Sequence, residues 1–265
     1  MDSITDPQVL NQLIAEATAE PEEDREVPTI FPSDTSVFLP GGFLRQDGSL
    51  AKVAEVRELT GQDEEYLAKA ATNGSVLNAV LQRGLVSIGG EPATSADIDS
   101  MLAGDRDAVL IAIRRATFGN TYGGAAYCDK CEDTRQISID LTTGIKTIEL
   151  DNPIADRQFE VETKQGIAVV GLPNGLTQRK TQQYDIKTTA ELITLTLAGC
   201  LISLDGEPAM GPSTALSLGI ADREKIIVEL SKRSPGPRLE EVEATCEACS
   251  STLTVRIGLA DFFRF

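Results

Sequence analysis

Apolar residues change their spacing along the chain, and this change predicts alternating strands and helices. Two segments, 36–59 and 159–172, hold runs of apolar and β-branched residues that favour strands. Each is accompanied by a Pro/Gly cluster that we expect to form a turn, Pro40-Gly41-Gly42 for the first and Pro173-Asn174-Gly175 for the second. The chain therefore contains two strand-rich segments of similar composition.

Helical spacing follows each strand-rich segment, near 63–83 and near 186–199. A further short helix should begin at Thr94 or Ser95, because both residue types are favourable N-caps. Strands and helices mixed in this way predict an α+β fold.

One more helix is expected in each part of the chain. Asp105 and Asp222 precede apolar helical patterns and are predicted N-caps. Gly119 and Gly236 stand where these helices should end, as C-terminal caps.

These signals recur in the same order, which is the strongest sign of organisation in the sequence. Leu85–Pro92 reads LVSIGGEP, and Leu201–Pro208 reads LISLDGEP. Two further pairs follow in both parts, Asp105-Arg106 with Asp222-Arg223 and the Cys128–Cys131 motif with the Cys246–Cys249 motif. The offset stays between 116 and 118 residues. We therefore predict an internal duplication, with two homologous α+β modules at 36–150 and 157–265.

Residues 1–35 differ from both modules, since they hold nine acidic residues and one basic residue. A helix start signal at Asp6-Pro7 precedes four apolar residues at helical spacing, Val9, Leu10, Leu13 and Ile14. This pattern predicts an acidic N-terminal arm with a short amphipathic helix and a charged linker. The helix either packs on its own domain or docks on a neighbouring subunit.

Composition narrows the function classes. The 265 residues include no His, which excludes Ser-His-Asp and Cys-His nucleophile pairs and His-ligated metals. The net charge of −17 disfavours nucleic acid and anionic membranes as partners. No apolar run is long enough to span a bilayer. The first residues lack the basic region of a signal peptide, so we expect the protein to be located in a reducing cytoplasm.

The two CxxC motifs form the metal-binding pattern of this sequence. Four thiolates around Zn²⁺ make a closed tetrahedral structural site, so we expect one shared zinc bound by Cys128, Cys131, Cys246 and Cys249. Packing of the modules about a pseudo-two-fold axis would bring the motifs together. Two disulfides, free thiols or a redox dithiol are the alternatives. The fifth cysteine, Cys200, lies in an apolar stretch and should be a packing residue.

The first module also resembles a known family. Its signals run through Phe38-Leu39-Pro40-Gly41-Gly42, Val56–Gly61, Asp105-Arg106, Arg114–Gly119 and a CxxC motif before a strand. This order resembles the T4-type baseplate hub and hub-assembly proteins of contractile phage tails. The resemblance implies a structural viral protein without enzymatic activity, assembled in the host cytoplasm and carried in the tail baseplate of the virion. An assembly chaperone absent from the mature virion is the alternative, and a thiol redox enzyme is a third.

Contacts with other tail proteins are expected at both ends of the chain. The acidic arm at 1–35 is one contact element, and the aromatic segment 262–265 is the other. Three phenylalanines within four residues would favour aggregation if they were exposed on a monomer. They should therefore lie either in a partner or in the core of the chain itself.

Overall fold

The computed structural model describes residues 35–71 and 75–263, which contain eight α-helices and fourteen strands. The first half, residues 35–150, contains β1 (Ser36–Leu44), β2 (Leu50–Val56), α1 (Gly61–Ala71), α2 (Val76–Gly84), β3 (Leu85–Ile88), β4 (Glu91–Pro92), α3 (Ser95–Ser100), α4 (Ala103–Phe118), β5 (Thr121–Cys128), β6 (Asp133–Asp140) and β7 (Thr147–Ile148). These bounds confirm a mixed fold of helices and antiparallel sheets.

The second half, residues 151–263, has the same order of strands and helices, flanked by two short 3₁₀ helices. It contains Ala155–Arg157 (3₁₀), β8 (Gln158–Thr163), β9 (Gly166–Gly171), α5 (Gly175–Gln182), α6 (Thr189–Cys200), β10 (Leu201–Leu204), β11 (Glu207–Pro208), α7 (Pro212–Ser217), α8 (Ile220–Arg233), β12 (Gly236–Pro237), β13 (Val242–Cys246), β14 (Thr252–Val255) and Leu259–Phe263 (3₁₀). No helix of either half is long and apolar enough to cross a membrane.

Each half has its own antiparallel sheet, and a third sheet combines strands from both. The strand orders of the first two are β1-β2-β3-β4 and β8-β9-β10-β11. The third sheet has the order β5-β6-β13-β14, and β7 pairs with β12 in a separate two-stranded ribbon. The final hairpin of each half therefore joins the other half rather than its own sheet.

The boundary between the two hydrophobic cores does not coincide with the boundary between the two halves of the sequence. The first cluster of buried apolar residues centres on the first half and includes Val242, Ala244, Phe262 and Phe263 from the second. The second cluster centres on the second half and includes Leu102 from the first. Each core is thus completed by residues of the other half.

The C-terminal aromatic residues pack inside the protein. Phe262 and Phe263 are buried, and the Phe262 ring meets the edge of the Tyr122 ring at a centroid distance of 5.0 Å. Of the two expectations for this segment, the structure places these two side chains in the core of the chain itself. Residues 264–265 and the arm up to residue 34 lie outside the described residues.

The predicted Pro/Gly turn is wrong in the first half, whereas in the second half Pro173-Asn174 connects β9 to α5. Pro40-Gly41-Gly42 lies inside β1, where the pairing with β2 shifts register, and Gly42 supplies the left-handed conformation (φ +68°) that this irregularity needs. In the second half, Asn174 is an N-cap whose side-chain oxygen accepts a hydrogen bond from the Thr177 amide at 3.0 Å. Asn174 thus caps the start of α5, a helix that the sequence did not predict.

Helix boundaries are partly as expected. The predicted helix near 63–83 is two helices, α1 and α2, and the helix near 186–199 is preceded by α5. Thr94 starts α3 with a capping box, as predicted. Gly119 caps α4, but Gly236 lies in β12 because α8 already ends at Arg233.

The two halves meet where glycines let their backbones touch. A Cβ placed on Gly104 of α4 would overlap the Pro235 carbonyl oxygen, and one placed on Gly236 would lie 2.5 Å from the Gly104 Cα. No residue with a side chain fits at Gly104 without moving the backbone of the opposite half.

Candidate metal centre

The four cysteines of the CxxC motifs lie together at one end of the third sheet. Their Sγ atoms are all within 4.8 Å of one another. The Cys128 and Cys249 sulfurs are 3.6 Å apart, and the Cys131 and Cys246 sulfurs are 3.9 Å apart. A tetrahedral zinc with bonds of about 2.3 Å requires sulfur separations of about 3.8 Å. The arrangement is therefore one that could bind a metal ion, and it is compatible with Zn²⁺.

Each motif forms a tight turn between two strands. In the first, the Cys131 amide donates to the Cys128 carbonyl at 3.1 Å, and in the second the Ser250 amide donates to the Cys246 carbonyl at 2.8 Å. The residue after the second cysteine is left-handed in both turns, with φ +52° at Glu132 and +56° at Ser250. Non-glycine residues rarely adopt this conformation. The two knuckles therefore share an uncommon backbone feature that turns both sulfurs of a motif inward.

Strand pairing explains how the two knuckles meet. The second strand of the first hairpin, β6, pairs with the first strand of the second hairpin, β13, with Cys246 opposite Ile137. The hairpins thus lie side by side as a continuous meander whose CxxC turns share one edge. A two-fold axis would pair equivalent strands instead, so the predicted pseudo-two-fold arrangement is wrong although the four cysteines do converge.

Burial and hydrogen bonding differ among the four thiols. Cys128 and Cys246 are buried, whereas Cys131 and Cys249 are partly exposed. Hydrogen bonding from Ser251 lowers the pKa of Cys249 to about 6, and the Cys249 and Cys128 thiols together with desolvation raise the pKa of Cys131 to about 12. Thiolates this close repel one another unless a cation lies between them, which is the electrostatic condition of a metal site.

Ser251 is a part of this centre that the sequence reasoning missed. Its hydroxyl oxygen lies 3.0 Å from the Cys249 sulfur and 3.3 Å from the Cys128 sulfur. A hydroxyl in this position contacts one ligand from each motif and can orient both. The sequence signal was weak, since it consisted only of a serine two residues after the last cysteine.

Of the alternatives for these cysteines, the sulfur positions exclude only the two disulfides. All five cysteines are free in the structure, and the shortest recorded separation between motifs, 3.6 Å, is far from a disulfide bond of about 2.05 Å. Cys200 lies in the second core, away from this group, and burial raises its pKa to about 12. Its expected role as a packing residue is confirmed.

The two Asp-Arg pairs are neither helix N-caps nor an ion pair between the halves. Asp105 and Asp222 are the third residues of α4 and α8, which have Leu102 and Gly219 as N-caps. Both aspartates are buried and accept a backbone hydrogen bond from the first hairpin of their own half, Asp105 from the Gly41 amide at 2.6 Å and Asp222 from the Lys164 amide at 3.2 Å.

The arginines of these pairs extend to the second helix of their own half. Arg106 donates to Asn78 in α2 at 3.3 Å, and Arg223 donates to Thr194 in α6 at 2.6 Å. Arg106 also crosses to the other half, where its Nε donates to Gln178 at 2.8 Å. The two pairs thus occupy corresponding places, and only the first is covered by the opposite half.

Comparison with family models, with curated protein sequences and with solved structures finds no match to this chain.

Proposed function

We propose that Cys128, Cys131, Cys246 and Cys249 hold one structural Zn²⁺ that fastens the final hairpins of the two halves together. The observation that carries this proposal is the convergence of four sulfurs at the separations a tetrahedral thiolate site needs. Four protein ligands leave no open coordination position, so the metal would organise structure rather than activate water or substrate. Softness of the donors favours zinc over magnesium or calcium.

The duplication belongs to the same proposal. The shared order of elements, the two matching sheets, the left-handed residue in each knuckle and the corresponding Asp-Arg contacts support two homologous modules. The modules pack head to tail instead of about a two-fold axis.

For the biological role of the chain, we propose that it binds other proteins during assembly of a contractile phage tail baseplate. The family resemblance of the first module supports this, together with the acidic arm at 1–35. The proposal assigns no catalytic step to any residue. Phe262 and Phe263 are not part of the proposed contact surface, because they are buried.

Two measurements test the proposed zinc site and the proposed assembly role separately. Elemental analysis of the purified chain should give one equivalent of zinc. Mass spectrometry of purified phage particles should find the chain at a fixed stoichiometry. Presence in infected cells without presence in particles would instead support an assembly chaperone. Absence from both tail intermediates and particles would contradict the assembly role while leaving the zinc result standing.

A further inference from the structure

The contact between the two halves includes a docking of α5 onto the first half. We name the surface it covers, residues 98–106 around the α3–α4 junction, the covered face. The Ala103 amide donates to the Pro173 carbonyl at 2.9 Å, and the Gly175 amide donates to the Met101 carbonyl at 3.0 Å. An ion pair between Arg179 and Asp99 at 2.6 Å adds to these contacts. The start of α5 is thereby held by backbone and side-chain bonds together.

A glycine at the first position of α5 makes this approach possible. A Cβ on Gly175 would collide with the Ile98 carbonyl and the Arg106 guanidinium. The corresponding helix of the first half, α1, also begins with a glycine, Gly61. A Cβ on Gly61 would meet nothing within 4 Å. Packing within the described residues therefore gives no reason for glycine there, although glycine costs a helix about 1 kcal/mol relative to alanine.

The second half has a surface that corresponds to the covered face and is not covered. We name it the open face, residues 215–223 around the α7–α8 junction. Ala103 and Asp99 of the covered face are partly buried, whereas their counterparts in the open face, Ile220 and Leu216, are 85% and 63% exposed. Beside them lies a cleft of about 430 Å³. Its lining includes Arg223 of α8, Glu191 and Thr194 of α6, and Tyr184 and Asp185 from the segment before α6. Large apolar side chains are thus exposed at the position where the first half receives a helix.

The arginine of the open face indicates which helix fits it, although Asp185 and Glu191 line the same cleft and carry negative charge. When α1 is aligned with α5 from their first glycines, Glu64 takes the place of Gln178, the residue to which Arg106 donates. Arg223 is the equivalent of Arg106, so an arginine–glutamine bond would become an arginine–carboxylate pair. Glu65 takes the place of Arg179, and Leu216 replaces Asp99 opposite it, which removes a like-charge contact. Both glutamates are exposed.

Helix α1 is also held ready for such a contact. Asp63 is buried in its first turn and pairs with Arg57 at 2.8 Å and with Arg83 at 2.5 Å. These ion pairs fix the helix to the first half and leave Glu64, Glu65 and Tyr66 pointing outward. Because the surface is preorganised, docking would require little ordering of the backbone.

We propose that the open face of one chain binds helix α1 of a second copy of this chain, repeating between molecules the contact that joins the two halves within one. Such an interface is heterologous, because each copy contributes a different surface, and it closes into a ring or continues as a chain. The inference deepens the proposed assembly function and rests on the correspondence of the halves. It concerns purified protein alone, so its failure would not bear on the presence of the chain in particles.

The test is sedimentation velocity on the full chain over a series of concentrations. We expect concentration-dependent association of the wild-type chain. Ile220→Glu on the open face and the double variant Glu64→Arg/Glu65→Arg on α1 should each weaken association about tenfold or more. Ile154→Glu is the matched control, since Ile154 is a similarly exposed isoleucine outside both surfaces. Urea unfolding of each variant should match the wild type, because the changed residues are exposed.

Mixing the two defective proteins gives the sharpest result. The Ile220→Glu chain retains α1, and the Glu64→Arg/Glu65→Arg chain retains the open face, so together they should form a complex that stops at two chains. A wild-type chain that stays monomeric at every concentration overturns the proposal. So does an equimolar mixture that fails to associate. If deleting residues 1–34 abolishes association that both variants retain, the N-terminal arm is the contact and α1 is not.

Discussion

Two of the contacts that join the halves use different chemistry. At the cysteine centre, side chains from two hairpins converge on a point that a metal ion can occupy, and they come no closer than sulfur–sulfur contact. At Gly104 and Gly236 the backbones themselves touch, with no side chain or ion between them. If the proposed zinc is bound, the first junction depends on an ion that can be removed. The second requires that Gly104 has no Cβ atom, so even the smallest side chain there should disrupt it.

Substitution at the glycine junction should have the largest effect on stability. Gly104→Ala would place a methyl group on the Pro235 carbonyl and should lower the free energy of unfolding by about 3 kcal/mol or more. Gly123→Ala is the matched control, because a Cβ at Gly123 would meet nothing within 4 Å. Urea denaturation measures both. Equal stability of the two variants would show that the backbones are not in contact.

Removal of a metal ligand should have a large but local effect. We expect Cys128→Ser to lose the zinc and to reduce hydrogen-exchange protection of β13 and β14 about 100-fold, while β1–β4 keep theirs. Cys200→Ser should retain one equivalent of zinc, since Cys200 lies in the second core. Tight zinc binding by both Cys128→Ser and Cys246→Ser would exclude the shared site.

The buried carboxylate near the glycine junction should give a smaller, pH-dependent effect. Burial raises the pKa of Asp105 to about 6, against the lowering effects of the Gly41 amide and the Arg157 charge. Because the folded state holds this proton more tightly than the unfolded state, the contribution is fully present below the ordinary pKa of 3.8 and is lost as the pH rises through about 6.

Replacing Asp105 with asparagine removes this titration. The stability of the wild type relative to Asp105→Asn should therefore increase by about 2 kcal/mol between pH 7 and pH 4. Urea midpoints at a series of pH values measure the difference. A difference that is flat over this range would mean that the carboxylate titrates normally in the folded protein.

Deletion of residues 1–27 should leave both junctions intact and have the smallest effect on stability. The expected change in unfolding free energy is under about 0.5 kcal/mol, with zinc still bound. Incorporation into tail assemblies should fall, and capture of partner proteins by the full chain should weaken with salt. Unfolding of the truncated protein, or its normal incorporation, would each contradict the role of the arm.

The sequence predicted that the four cysteines converge, because thiol chemistry limits what two CxxC motifs can do. It also predicted α3, since Thr94 and Asp97 form a capping box within four residues. The turn at Pro40-Gly41-Gly42 was mispredicted because a glycine that enables a strand irregularity and one that ends a strand look alike in sequence.

Local sequence patterns did not predict the contacts between residues that are far apart in the chain. Gly104 is the second residue of a helix, where nothing nearby in sequence signals that Pro235 and Gly236 approach it. The pairing of β6 with β13 is likewise set by the packing of the halves. The repeat spacing predicted which segments correspond, but it carried no information on whether the two halves are related by rotation or by translation.

The exchange of core residues between the halves also has a consequence for biosynthesis. The first core needs Val242, Ala244, Phe262 and Phe263, which the ribosome adds only after the whole second half. Domains of nascent chains usually fold in order from the N-terminus. Here the first half cannot close its core in that order, so β1–β6 must wait with an incomplete apolar surface until residues 242–263 emerge.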